Sequence, residues 1–260
     1  MTLPANIRVG TSGYSFEDWR GGFYPAEIDK GKMLDFYVQH FSTVEINSTY
    51  YRIPHPAVFY HLARKSPQHF DFIVKVPQSL THRRQDVEKD FASFQQSIEP
   101  MVQSGKLSGL LAQFPYSFKY SAESLEYISI MSQAVAPHRL FVEFRHDGWM
   151  NRGMYDHLRA QNVGYVCVDE PQLTGLLKPE AFVTTDIGYV RLHGRNAEKW
   201  WDGGDRRYDY TYSEEEMIQW RDKVRKLATK TTKVYVYFNN CFRGQAVANA
   251  KQFMELLGGR

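Results

Sequence analysis

Three stretches of the chain place ionisable or amide side chains two residues apart. Glu45 precedes Asn47, Glu143 precedes Arg145, and Arg191, His193 and Arg195 alternate through a third stretch. In an extended chain residues i and i+2 point to one face, so each set offers its polar groups together. Lys75, Glu143, Glu45, His193 and Asp169 could take up and release protons. Lys75 and Glu143 are the acid/base candidates, because a desolvated lysine falls toward neutrality and then acts as a base. Glu45 would tune Lys75, and His193 would relay protons near neutral pH. A lone buried charge costs several kcal/mol, so Lys75 is expected to pair with Glu45 or Glu143.

Arg145, Arg191 and Arg195 offer the planar guanidinium fork that suits phosphate and carboxylate. With Lys75 they outnumber Glu45, Glu143 and Asp169, so the expected ligand is anionic. Asn47, Gln113, Asn239 and Asn240 would add neutral hydrogen bonds. Asn239 and Asn240 lead from an apolar run toward a helix, a junction that in barrels often binds phosphate through backbone amides; their plainer use is to satisfy loop carbonyls. Aromatic residues make up 15% of the chain, and Tyr14, Trp19, Trp149, Trp200 and Trp201 are candidates for walls on which a ligand stacks.

These groups stand at or near the ends of short apolar runs. Ile7-Arg8-Val9-Gly10 is the first of eight, and Val234 to Asn239 the last. Short β-branched and aliphatic runs bounded by turn residues read as buried parallel strands. Between them lie helical stretches near 33–41, 56–66, 87–103, 122–135, 154–161, 213–228 and 245–257. Leu34, Tyr37, Val38 and Phe41 share one helical face, and Ser213 with Glu216 spells a capping box. The sum is an α/β chain forming one (β/α)8 barrel of TIM type over residues 1–260, with room for irregularity. Such a barrel gathers the strand C-termini at one mouth, where its chemistry resides. Loops after strands one, six and seven exceed the usual length. The longest, 194–212, alternates cations with aromatics and reads as a lid.

Composition narrows the classes. The chain has 260 residues, 43% of them apolar, and a net charge of +3. No dense Lys/Arg stripe marks a protein that coats duplex DNA by charge. Cys167 and Cys241 have no CxxC spacing, which argues against a zinc site built on them, and two cysteines in this length suggest a reduced cytosolic protein. No apolar run nears the ~20 residues that span a bilayer. HExxH, Walker-type and GxGxxG motifs are absent.

Taken together, Gly10-Thr11-Ser12-Gly13, Phe23-Tyr24-Pro25, Val44 through Arg52, Phe72 through Pro77, Thr81-His82, Gln113-Phe114-Pro115, Glu143-Phe144-Arg145-His146, Arg191-Leu192-His193-Gly194-Arg195, Tyr237-Phe238-Asn239-Asn240 and Ala248-Asn249-Ala250 resemble the YecE-like family of domains of unknown function. The likeness runs nearly end to end and implies a TIM-type barrel. It departs at Tyr14, where that family often has Trp. It also implies a similarity in barrel shape to abasic-site endonucleases, which use a His-rich metal cluster that this chain does not match. The expectation is therefore a barrel protein that binds a phosphate-bearing or nucleic-acid-derived anion and performs hydrolase or lyase chemistry without metal or cofactor. A non-catalytic binder of single-stranded or damaged DNA and a metal-dependent phosphodiester hydrolase are the alternatives. A cytoplasmic location with no membrane partner is expected in each case.

Overall fold

The computed structural model describes residues 4–259. Eight parallel strands form one sheet: β1 (Ile7–Thr11), β2 (Thr43–Ile46), β3 (Asp71–Lys75), β4 (Leu107–Gln113), β5 (Leu140–Glu143), β6 (Gly164–Asp169), β7 (Ile187–Leu192) and β8 (Lys233–Phe238). Their order is β1-β8-β7-β6-β5-β4-β3-β2, the order of a barrel opened at one seam. Seven α-helices cover the outside among the described residues: α1 (Met33–Tyr37), α2 (Pro56–Lys65), α3 (Val87–Gln103), α4 (Ala122–Ala134), α5 (Arg152–Ala160), α6 (Glu214–Ala228) and α7 (Gln245–Gly258). Strands β6 and β7 are joined by residues 170–186, which contain no helix. The expected barrel is present, and its irregularity lies in that connection. The capping box is formed as well, with Glu216 N donating to Ser213 Oγ at 3.3 Å and Ser213 N to Glu216 Oε2 at 2.9 Å.

The seam between β1 and β2 is closed by few backbone bonds. Gly13 N donates to Glu45 O at 2.8 Å just above it. Below, the buried Tyr37 hydroxyl from α1 accepts from Thr11 N at 3.0 Å and lies 3.3 Å from Thr43 O. One phenol thus stands where a ladder bond is missing, which matters because unpaired buried backbone groups are costly. Gly10 permits this approach, since a Cβ there would fall 2.4 Å from Thr43 O.

Alternation along each strand sorts side chains between the barrel interior and the helical layer. Ile73, Phe141, Tyr189, Tyr235 and Tyr237 fill the middle of the interior and are all buried. Phe141 and Tyr189 lie 5.0 Å apart between ring centroids, and Tyr189 and Tyr237 lie 5.3 Å apart. A packed aromatic tier therefore separates the two ends, and the polar residues above it and below it belong to different sites.

Candidate functional site

Above the aromatic tier sits a buried ion-pair layer built from β2, β5 and β7. Arg191 grips Glu45 with two nitrogens, Nε to Oε2 at 2.9 Å and Nη2 to Oε1 at 2.7 Å. Its remaining nitrogen, Nη1, meets Glu143 Oε2 at 2.5 Å. Ser12 Oγ accepts from Nη2 at 3.3 Å, and the Tyr189 hydroxyl donates to Glu45. Both carboxylates are fully buried and Arg191 is 1% exposed. Burial opposes ionisation of Glu143, but Arg145, Arg191 and His193 overcome it and hold the carboxyl well below its usual range. The expected pairing of Lys75 with Glu45 or Glu143 is corrected: Arg191 takes both, because a five-donor fork can satisfy two carboxylates at once.

The next tier is the mouth itself. Arg145 spans two acids, with Nη2 2.7 Å from Glu143 Oε1 and Nη1 3.0 Å from Glu170 Oε2. Glu170 is buried and also accepts from Leu177 N at 3.1 Å. Burial raises its pKa to about 7 against the pull of Arg145. His193 lies on the inner face beside Arg145. Asn239 Nδ2 is 2.9 Å from its Nδ1, and Glu143 Oε1 is 3.1 Å from its Nε2. Arg145 Nη2, which can only donate, lies 3.2 Å from the same Nε2, so that nitrogen meets a donor as well as the Glu143 carboxylate. Burial and the Arg145 charge push the His193 pKa down to about 3. An imidazole held that low is neutral near pH 7.

Lys75, at the end of β3, differs from the arginines. It is half-buried, no carboxylate among the described residues lies within ion-pair distance, and its Nζ donates to Gln113 Oε1 at 3.0 Å. The same atom lies 4.4 Å over the Tyr50 ring. Burial lowers its pKa to about 7, with Arg191 adding to the shift and Glu143 opposing it. His82 sits edge-on to Tyr50 at 5.1 Å. Burial and the Lys75 charge push its pKa to about 4. Asn47 Oδ1, Glu143 Oε1 and Arg145 Nε are buried without an aligned hydrogen bond, although Glu143 Oε1 is near two nitrogens.

Several expected site residues lie elsewhere. Asp169 points outward. Its register partner is Leu192, whereas Val168 pairs with the inward Arg191. Its carboxylate holds Arg195 at 2.9 Å, and Arg195 also bonds Glu216 of α6 at 2.9 Å. Arg195 is thus fixed on the helical side and is not a free clamp. Asn240 donates to Asn249 Oδ1 of α7 at 2.9 Å. The cation excess disappears as well, because Glu170 brings the carboxylates to four (Glu45, Glu143, Asp169, Glu170) against Lys75, Arg145, Arg191 and Arg195.

Two of the expected stacking walls, Trp19 and Trp149, are interior packing, and Tyr14 is half-buried against the core. Trp19 is fully buried and donates Nε1 to Cys241 O at 2.8 Å. Trp149 donates to Phe118 O at 2.7 Å and stacks on Phe144 at 3.9 Å. Tyr14 packs beside Tyr37. Trp200 does reach the mouth, with its ring centroid 5.7 Å from Arg145 Cζ and 6.5 Å from the His193 ring. It roofs one side at 3% exposure, while Trp201 stays 55% exposed with its ring centroid 5.1 Å from that of Tyr116. Through Trp200 the loop 194–212 packs against Arg145 and His193 at the mouth. Sequence reasoning missed Glu170, Tyr50, Tyr189 and Ser12. The signal was present for two of them: Tyr189 stands two before Arg191, and Ser12 two after Gly10.

Among the described residues no three His, Cys, Asp or Glu side chains converge to hold a metal ion, and no helix is long and apolar enough to cross a membrane.

Comparison with known proteins agrees with this architecture. The chain is 31% identical to UPF0759 protein YunF of Bacillus subtilis (strain 168), over 96% of this chain and 94% of that protein. It is 41% identical to the crystal structure of a DUF72 family protein from Thermotoga maritima MSB8, with a TM-score of 0.90 over 97% of this chain and 99% of the other. A DUF72 family protein from Enterococcus faecalis V583 is 26% identical, with a TM-score of 0.84 over 98% of each chain. The family model for "Protein of unknown function DUF72" matches residues 8–260, and the chain belongs to that family.

Proposed function

We propose that the barrel mouth binds a small anionic ligand, phosphate-bearing or nucleic-acid-derived, and that Lys75 performs acid/base chemistry on it without a metal. The observation that carries this reading is the isolation of the Lys75 amine. Arg145, Arg191 and Arg195 already sit on carboxylates, whereas the half-buried Lys75 keeps one neutral acceptor. A base works best with a pKa near the operating pH, and burial brings this one to about 7. Glu143 is an acid/base candidate no longer; held ionised, it fixes Arg145 and Arg191. The two thiols, Cys167 and Cys241, are unpaired, which supports a cytoplasmic setting.

The test is a thermal-shift screen of sugar phosphates, nucleotides and short oligonucleotides. A ligand at 100 times its dissociation constant adds about 2.7 kcal/mol, a rise of roughly 5–10 °C for a chain this size. The response should vanish in Lys75→Ala. A full response in that variant would place the ligand elsewhere.

A second reading has its own support. Exposed Trp201 and Tyr51, at 55% and 77% exposure, stand on the mouth side with Tyr116 and Tyr50. They suit stacking by unpaired bases, each contributing about 1–3 kcal/mol. A non-catalytic single-strand binder would lose affinity steeply as salt rises; a small-ligand enzyme would not.

A further inference from the structure

Lys75 is placed to do more than move a proton. We propose that its Nζ forms a Schiff base with a ligand that carries both a ketone or aldehyde and an anionic group. This rests on the reading that the mouth binds anions, and it names the class of ligand.

The argument begins with what the amine lacks. A buried lysine kept for charge sits on a carboxylate or donates all its hydrogens, as Lys106 does to Ala63 O at 2.6 Å, Ser66 O at 2.7 Å and Ser66 Oγ at 3.1 Å. Lys75 donates only to Gln113 Oε1. The carboxylates in its neighbourhood, Glu45 and Glu143, are consumed by Arg191 and Arg145. The other groups facing it are the cations Arg191 and Arg145, the neutral His82, and the face of the Tyr50 ring, which alone among these attracts the ammonium. Such a setting favours the uncharged amine, which is a poor anion clamp and a good nucleophile. Lys75 is half-buried, not sealed.

The reaction balances without a further reagent. The Nζ lone pair attacks the carbonyl carbon, and the C=O π pair moves to oxygen. That oxygen takes a proton and the nitrogen releases one, giving a carbinolamine. The hydroxyl then takes a second proton and leaves as water while the nitrogen lone pair forms C=N. The anionic group of the ligand would lie toward Arg145, whose Nε hydrogen has no acceptor.

Trapping tests the inference. The full chain is incubated at pH 7 with dihydroxyacetone phosphate, dihydroxyacetone or pyridoxal 5′-phosphate, treated with sodium cyanoborohydride, and mapped by peptide mass spectrometry. One adduct at Lys75 is expected, formed about tenfold faster with dihydroxyacetone phosphate than with dihydroxyacetone, which corresponds to about 1.4 kcal/mol. Its rate should rise with pH through a midpoint near 7. Lys75→Arg, checked for folding by circular dichroism, should give none. Labels scattered over exposed lysines such as Lys199 and Lys230, with no preference for Lys75, would overturn the Schiff base. A parallel titration of Trp fluorescence with inorganic phosphate separates the two ideas. Phosphate binding without trapping defeats the Schiff base alone; neither binding nor trapping defeats the anion reading as well.

Discussion

The two ends of the barrel use charged side chains in opposite ways. At the N-terminal floor the charges are largely tied, although Arg8 Nε has no aligned acceptor. Asp71 Oδ2 takes Lys233 at 2.8 Å and the Tyr235 hydroxyl at 2.9 Å, with Arg8 nearby at 3.7 Å. Lys106 caps the carbonyl end of α2, so its donors complete groups that a helix C-terminus leaves open. At the C-terminal mouth the lower layer is tied just as tightly, through Arg191, but the tier above is not. Lys75 has one hydrogen-bond acceptor, Arg145 keeps an idle Nε, and Asn47 keeps an idle Oδ1. Since a buried polar group without a partner destabilises the fold, the contrast separates polar residues that support the structure from polar residues held ready for a ligand.

Substitutions at the two ends sharpen or break that contrast. The largest effect belongs to Arg191→Met, which leaves Glu45 and Glu143 buried without their partner. A loss of about 3–5 kcal/mol is expected, read from the urea midpoint, and a loss under 1 kcal/mol would mean the layer is not the anchor. Next comes Lys106→Met at the floor. It orphans the Ala63 and Ser66 carbonyls and should cost about 1–3 kcal/mol. Lys75→Met at the mouth, which breaks no ion pair, should not destabilise the fold while abolishing any ligand response. If Lys75→Met proves as costly as Lys106→Met, the division between the two ends fails.

Two pH profiles complete the series. The Lys75 pKa is depressed from 10.5 to about 7, so stability it contributes above pH 10.5 is lost as pH falls through 7. Lys75→Met should therefore gain on the parent over that interval and run parallel to it below. Glu170 shows the reverse sign and the smallest change. Its pKa is raised from 4.5 to about 7, so its contribution is present below 4.5 and fades as pH rises to 7. Glu170→Gln should flatten that part of the thermal-stability profile; an unchanged slope would show that Glu170 does not titrate there.

Much of the site was legible because strand alternation is a local rule. Glu45, Glu143, Arg191 and His193 could be placed inward together from spacing alone, and Lys75, Gln113 and Asn239 joined them by standing at strand ends. The same rule failed at Asp169. Its run offers no second polar residue to fix the inward parity, and only its pairing with Leu192 shows the outward face. Trp19 and Trp149 were misplaced for another reason. Composition reveals an aromatic ring but not its depth, and their Nε1 partners are carbonyls 222 and 31 residues away. Glu170 was invisible because it follows the strand in an irregular connection.

By itself the sequence determined the succession of strands and helices, the closed cap at Ser213, and the collection of polar strand ends at one mouth. These follow from side-chain period and turn chemistry, which act over a few residues. Only the tertiary structure decided which charge met which. Ion pairing inside a barrel depends on register around the whole sheet and on side-chain reach. Arg191 could therefore claim two carboxylates from strands far apart in the chain, leaving Lys75 as the free amine.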